Sequence, residues 1–317
     1  MLCKCVSAFL SGCVTAGFLS LAPSASAHGI VGKRLFIEPL VTEDANPKNE
    51  LDLPVLEVIQ TPDGHAINFN YSIEKKLSPN WSVSFDNGMA SFTPNGQASV
   101  LGFGNIGFGA KYALYRNARH EFIVSSDLHW EAPVGNPRIG AATFTTLTPG
   151  VLYAKGLGDL PSTPILKWLR PFALQGDFTL DFPIGGPSSS TPGKVPHADM
   201  VVEYSLPYLN AFVRHANAGY SLEDGDVRIG HSLGAIAGDI FPFTEFNFSW
   251  VHGNTGQGLR PQGFLRPGMV YIGRYFEVGA AAEFPANQFT GRSVGAIGIF
   301  DLFIEDVFPK FGWMIHK

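Results

Sequence analysis

Residues 171–182 read Pro-Phe-Ala-Leu-Gln-Gly-Asp-Phe-Thr-Leu-Asp-Phe. Successive side chains of a strand point to opposite faces. Phe172, Leu174, Phe178, Leu180 and Phe182 therefore share one face, and Gln175, Asp177, Thr179 and Asp181 share the other. Two architectures accept such a strand. A soluble sandwich turns the polar face to water, whereas a transmembrane barrel turns the apolar face to lipid and lines its interior with the polar one.

The same alternation recurs along the chain. Ile67, Phe69, Tyr71 and Ile73 oppose Asn68, Asn70, Ser72 and Glu74. After a Ser78-Pro79-Asn80 turn, Trp81, Val83 and Phe85 oppose Ser82, Ser84 and Asp86. Ile106 to Leu114 alternates against Gly107, Gly109 and Lys111, and Phe122 to Trp130 against Glu121, Asp127, His129 and Glu131. Further patterns lie at 143–156, at Met200–Leu206, at Val227, Ile229 and Leu233, at Phe246–Trp250, at Phe276–Phe284 and at 293–303. The pattern predicts about twelve strands with almost no helical periodicity. Even strand numbers, with short turns at one rim and longer loops at the other, fit an antiparallel up-and-down barrel. The expected division is a leader over 1–27, an irregular periplasmic lead-in over 28–54 and an outer-membrane barrel over 55–317.

The leader expectation rests on Lys4, an apolar stretch from Val6 to Ala22, and the small-x-small pattern Ala25-Ser26-Ala27, which places cleavage before His28. A rival, Leu10-Ser11-Gly12-Cys13, resembles a lipoprotein processing box, but cleavage there leaves a very short signal and an unexplained second apolar stretch. Cys3, Cys5 and Cys13 all lie in the leader. A mature chain starting at His28 thus has no disulfide, thiolate metal site or cysteine nucleophile.

Charged residues make up 15% of the chain against a usual quarter, aromatics reach 13% and there are 36 glycines. This balance suits a protein whose outside is hydrocarbon. The net charge of −5 comes with no basic cluster, which argues against a nucleic-acid partner. After the leader no run of about twenty apolar residues occurs, which excludes a helical membrane protein. Trp81, Trp130, Tyr153, Tyr208 and Trp250 near strand ends suit interfacial girdles, or ordinary core packing.

The polar faces are acidic. Glu74, Asp86, Glu121, Asp127, Glu131, Asp177, Asp181, Asp199, Glu203, Glu245, Glu277 and Glu283 share one side, opposed within strands by Lys111 and Arg228. In a closed barrel these residues line the lumen and favour cations; in a sandwich they are a solvated acidic face. A different chemistry is suggested by Gly230-His231-Ser232-Leu233-Gly234-Ala235, which resembles a lipase nucleophile elbow. That elbow needs a strand-to-helix turn at Ser232 and a downstream acid and histidine. Pro242 cuts the helix short, the candidates Asp301, Asp306, His252 and His316 fall in the wrong order or in the tail, and the alternating helices of a hydrolase sheet are missing. The histidines show no metal-ligand spacing, and rim or loop positions without a role are expected for them. No cofactor or nucleotide motif occurs, and the expected reading is not an enzyme.

Several blocks carry a family resemblance: Leu51-Asp52-Leu53-Pro54, Gly158-Asp159-Leu160-Pro161, Trp168 to Phe172, Tyr204 to Leu209, Gly273 to Phe276 and Glu305-Asp306-Val307-Phe308-Pro309. Together they resemble bacterial transporters of the meta-pathway phenol-degradation family. The resemblance implies an outer-membrane barrel of a Gram-negative bacterium that admits aromatic or other apolar compounds, and it brings no catalytic residues. The expected partners are outer-membrane lipid, a small-molecule solute and the barrel-assembly machinery. Such barrels commonly end on an aromatic, whereas this chain ends Trp313-Met314-Ile315-His316-Lys317, so Phe303 or Trp313 is expected to take that part. The loop from Gly185 to Pro196 is a candidate gate. A passive channel is the reading carried forward, beside a surface esterase built on Ser232 and a secreted β-sandwich.

Overall fold

The apolar rows become the outer wall of a closed barrel. The computed structural model describes residues 29–61, 63–185, 193–215, 220–223, 226–229, 240–252, 259–273 and 275–308. The leader, the Gly230–Ala235 motif and the tail beyond Phe308 lie outside the described residues. In chain order the strands are β1 Gly29–Val31, β2 Arg34–Phe36, β3 Glu50–Thr61, β4 Gly64–Ser78, β5 Trp81–Pro94, β6 Val100–Phe103, β7 Ile106–Asn117, β8 Phe122–Ala132 and β9 Thr145–Gly156. They continue as β10 Phe172–Ile184, β11 Val195–Tyr204, β12 Tyr220–Glu223, β13 Asp226–Ile229, β14 Ile240–His252, β15 Leu259–Ile272, β16 Phe276–Pro285 and β17 Val294–Phe303.

Thirteen of these form one antiparallel sheet that closes on itself, because β4 pairs with both β3 and β5 while β3 pairs with β17. β6 and β7 pair with successive parts of β5 and act as one strand broken at Gly104–Asn105, so the barrel has twelve staves. The Asn87 side-chain amide donates to the carbonyls of Gly104 and Asn105 at 3.2 and 2.8 Å and holds this break.

Phe178, Phe108, Trp130 and Met269 point outward and are exposed, as a lipid-facing wall requires. Trp81 is also exposed, but Tyr208 is buried at a rim and does not belong to a girdle. The expected number of strands holds, though two members differ. Val227–Ile229 belongs to the separate hairpin β12–β13, not to the barrel sheet. In its place stands β3, which starts at Glu50 instead of following a lead-in that ends at 54. A register shift between Asp52 and Val55 reverses the alternation within β3. Leu51 and Leu53 therefore fall on one parity and the exposed Leu56 and Val58 on the other.

Both ends of the barrel, Glu50 and Phe303, lie at one rim, here called the near rim. Its connections span 79–80, 118–121, 157–171, 205–239 and 273–275; those of the far rim span 62–63, 95–99, 133–144, 185–194, 253–258 and 286–293. Short turns and long loops are thus not sorted by rim. The two longest connections belong to the near rim, and the reason lies inside the barrel.

Residues 29–49 occupy the interior behind the near rim. They begin with the β1–β2 hairpin, whose Gly32 has φ +65° and lies so close to the Ala118 carbonyl that a Cβ would sit 2.0 Å from its oxygen. Two apolar clusters grip this inner segment. Leu35, Ile37 and Leu40 pack with Val201, Phe241, Phe243, Val270, Ile272, Ile297, Ile299 and Phe303. Val31, Phe36 and Ala45 pack with Ala113, Ile123, Leu152, Ala154 and Ala173. Each large side chain so buried contributes about 1.5–3 kcal/mol. The inner wall near the termini is therefore as apolar as a soluble core. Phe303 faces this core, so it does not present an outward terminal aromatic.

Candidate functional site

Strand residues facing inward, from the near rim up to mid-height, meet the main chain of the inner segment. Glu245 of β14 accepts from the backbone N–H groups of Leu40 at 3.2 Å, Val41 at 3.0 Å and Thr42, and from the Thr42 hydroxyl. Glu203 of β11 accepts the Ile37 N–H at 3.2 Å, and the neighbouring Gln175 amide donates to the Ile37 carbonyl at 2.9 Å. Glu277 takes the Glu38 N–H at 2.9 Å, Asp177 the Glu43 N–H at 3.0 Å and Glu74 the Lys48 N–H at 3.1 Å. A segment without regular structure has unpaired backbone donors, and buried donors must find acceptors. The wall carboxylates supply them.

The segment returns cations to the wall. Arg34 is fully buried; its guanidinium donates to Glu121 at 3.2 Å and to the carbonyl oxygens of Arg170 and Pro171, and lies 4.0 Å from the Tyr208 ring. Arg170, Pro171 and Tyr208, from the two long near-rim connections, thus cover Arg34. Lys48 pairs with Glu38 and Glu50, and Lys111 of β7 bridges Glu43 at 2.8 Å and Glu74 at 3.1 Å. Burial opposes charge on Lys48, but Glu50, Asp52 and Glu74 outweigh it and raise its pKa. Asp44 is pushed up to about 6, chiefly by burial.

Above the segment a cavity of about 610 Å³ extends to the far-rim residues Ala142, Phe144, Pro183 and Val195. Its floor is Glu38, Val41, Glu43 and Lys48. Its walls carry Asp52, Glu74, Asp86, Asp127, Glu131, Asp177, Asp181 and Asp199, together with His129 and His197. The two histidines occupy strand positions on this wall; the alternation sets His129 on the polar row of its strand, but without a role for either histidine. His129 Nε2 lies 2.8 Å from Asp86, His197 Nε2 lies 2.9 Å from Asp181, and the Thr148 hydroxyl donates to Asp181 at 2.7 Å. The His129–Asp86 contact reaches across β7 because Gly107 stands between them. A Cβ there would fall 2.2 Å from Asp86 Oδ2 and 2.4 Å from His129 Nε2. Gly107→Ala is expected to break this pair and lower barrel stability by about 1–3 kcal/mol. Denaturant unfolding in detergent checks this, and an unchanged midpoint would refute it.

The fourteen sequence candidates thus separate. Glu74, Asp86, Asp127, Glu131, Asp177, Asp181 and Asp199 border the cavity. Glu121, Glu203, Glu245 and Glu277 hold the inner segment, while Lys111 bridges the two groups. Glu283 pairs with Arg266 of β15 at 3.0 Å. Arg228 is in the β12–β13 hairpin outside the barrel sheet, and its side chain lies outside the described residues. Arg266, rather than Arg228, is a second inward strand cation. Missed altogether were Arg34, Thr42, Glu43 and Lys48, whose segment has no periodicity to read. The loop from Gly185 to Pro196 is described only at Gly185 and from residue 193 on. Ser232 lies outside the described residues, and among the described residues the sheet carries no helical layers of the α/β-hydrolase kind.

No family model and no curated protein matches this chain. Solved structures do match. The COG4313 outer membrane channel from Pseudomonas putida F1 aligns over 84% of this chain and 99% of its own, with 9% identity and a TM-score of 0.55. The NanC and KdgM porins align over 79% and 80% of this chain, 98% of each, with 9% and 10% identity and TM-scores of 0.45 and 0.44. At these identities the likeness to the COG4313 channel is one of fold, that of an outer-membrane barrel.

Proposed function

We propose that this chain is a passive outer-membrane channel for small solutes that prefers cations, entered at the far rim and closed at the near rim by residues 29–49. The cavity carries the proposal: ten carboxylates and a single lysine line a chamber that ends on the inner segment. Confined like charges in a low-dielectric enclosure attract counter-ions and repel anions. The near rim, which carries both barrel ends, faces the periplasm in this reading.

Reversal potentials in a KCl gradient test the preference. A cation-directed potential is expected, weakened by combined Asp127→Asn, Asp177→Asn and Asp199→Asn; a potential near zero in the parent would refute it.

A second reading concerns the body of the solute. Val41, Phe144, Pro183 and Val195 interleave with the carboxylates, which suits a solute with an apolar or aromatic body, in line with the resemblance to phenol-degradation transporters. Liposomes containing the protein are then expected to admit benzylammonium faster than benzoate, and equal rates would count against the charge assignment.

A further inference from the structure

The chamber wall is acidic, but one face of the near rim is apolar and cationic. In the 157–171 connection a single helical turn covers Leu166–Trp168, and around it Ile165, Trp168 and Leu169 are 80%, 43% and 41% exposed. Large apolar groups gathered on a surface in this way mark an interaction site. Lys167 Nζ lies 5.2 Å from the Trp168 ring, and Arg214, from the 205–239 connection, brings its guanidinium to 5.9 Å from the same ring. Lys33, at the tip of the β1–β2 hairpin, adds a third cation 5.4 Å from the ring of Phe212. Asp159, the one carboxylate of the 157–171 connection, is taken by His120 and Lys155. This face continues the lipid-facing wall. The Leu169 carbonyl accepts the Phe172 N–H at 3.0 Å, and the rings of Phe172 and Tyr204 meet edge-on with centres 4.7 Å apart. Those two rings end the outward rows of β10 and β11 that carry the exposed Phe178 and Met200. Arg214 also acts electrostatically on the Tyr204 hydroxyl. The cations therefore stand where the apolar wall meets water.

We propose that this face binds an anionic phospholipid, whose phosphate pairs with Lys167 and Arg214 while its acyl chains lie along Leu169 and Phe172. Trp168 and the Tyr204 hydroxyl then sit at headgroup depth, where amphipathic rings are favoured, and the two cations select negative headgroups. Continuity with the wall is what favours a lipid over an acidic peptide, which needs the cations but not the outward rings of Phe172 and Tyr204. Trp168 and Arg214 come from the two connections that cover Arg34, so a bound lipid braces that pair. The site rests on the outer-membrane barrel and not on the channel reading; only the leaflet follows from the orientation given above.

The test reconstitutes the protein in phosphatidylcholine vesicles that contain a graded fraction of either phosphatidylglycerol or phosphatidylcholine brominated on its acyl chains. Bromine quenches only an indole in contact with it, and the Trp168 emission is the difference between the parent and Trp168→Phe. Half-maximal quenching is expected at a roughly tenfold lower mole fraction of the brominated phosphatidylglycerol than of the brominated phosphatidylcholine. Combined Lys167→Gln and Arg214→Gln should bring the two curves together while heat-dependent gel mobility persists, whereas combined Lys167→Arg and Arg214→Lys should keep them apart. Raised salt, which screens the pairing, should also merge them without any substitution. Equal quenching by both lipids in the parent, a preference that survives the double Gln variant, or a Trp168 that neither brominated lipid quenches would each overturn the proposal. So would reversal of the quenching by lipid A at a lower mole fraction than by unlabelled phosphatidylglycerol, since the phosphates recognised would then be those of the outer leaflet. None of these outcomes alters the reversal potential expected of the channel.

Discussion

Joining His28 directly to Asn49 is expected to raise single-channel conductance severalfold, because residues 29–48 form the floor of the acidic chamber and fill the barrel below it. The ring of twelve staves does not depend on them, since every barrel strand keeps both neighbours. Heat-dependent mobility should survive, with a lower unfolding temperature because the apolar inner wall loses its partner. Planar-bilayer recording decides the matter: a shortened chain that conducts no better than the parent would show that the segment is not what closes the pore.

Glu245→Ala is expected to have the largest effect of any single substitution. It leaves three backbone N–H groups and a hydroxyl without their acceptor, those of Leu40 and Thr42 buried and that of the more exposed Val41 part-buried. Each such orphaned donor costs about 1–3 kcal/mol. Allowing for partial rescue by water, a net loss of about 3–4 kcal/mol raises the open population on the order of 10²–10³-fold. Recordings should show frequent bursts at the conductance of the shortened chain. Glu245→Gln keeps one accepting oxygen and should fall between. Glu131→Gln, on a carboxylate that borders the cavity and accepts from Asn105 at 2.8 Å, should leave burst frequency unchanged. Parent-like gating in Glu245→Ala would remove Glu245 as the latch.

The barrel was legible because its outer face obeys a period of two over long strands, as in β10. It failed where the period itself fails. The bulge in β3 reverses parity, and the inner row of β15 mixes Arg260, Gln262 and Arg266 with Phe264, Val270 and Ile272, so its two faces could not be told apart by polarity. The inward carboxylates could be read as inward, but not as acceptors for main-chain donors. Any residue except proline provides an N–H, so a segment bound through its backbone leaves almost no side-chain signal. Lys48 and Arg34 read as ordinary cations until the fold places them against Glu50 and Glu121.

The seam that closes the barrel joins its first stave to its last, β3 to β17, and the inner segment directly precedes β3. Leu40 meets Glu245 across 205 residues of chain. The part of the protein that leaves the export machinery first can therefore be seated only when strands made last are present. Contacts this distant in sequence must bear the loop-closure entropy before they return any energy, which makes assembly slow. Until then Phe241, Val270, Ile272 and Ile299 have no partner inside the forming cylinder. A chain that closed without the inner segment would enclose an oily, unfilled wall.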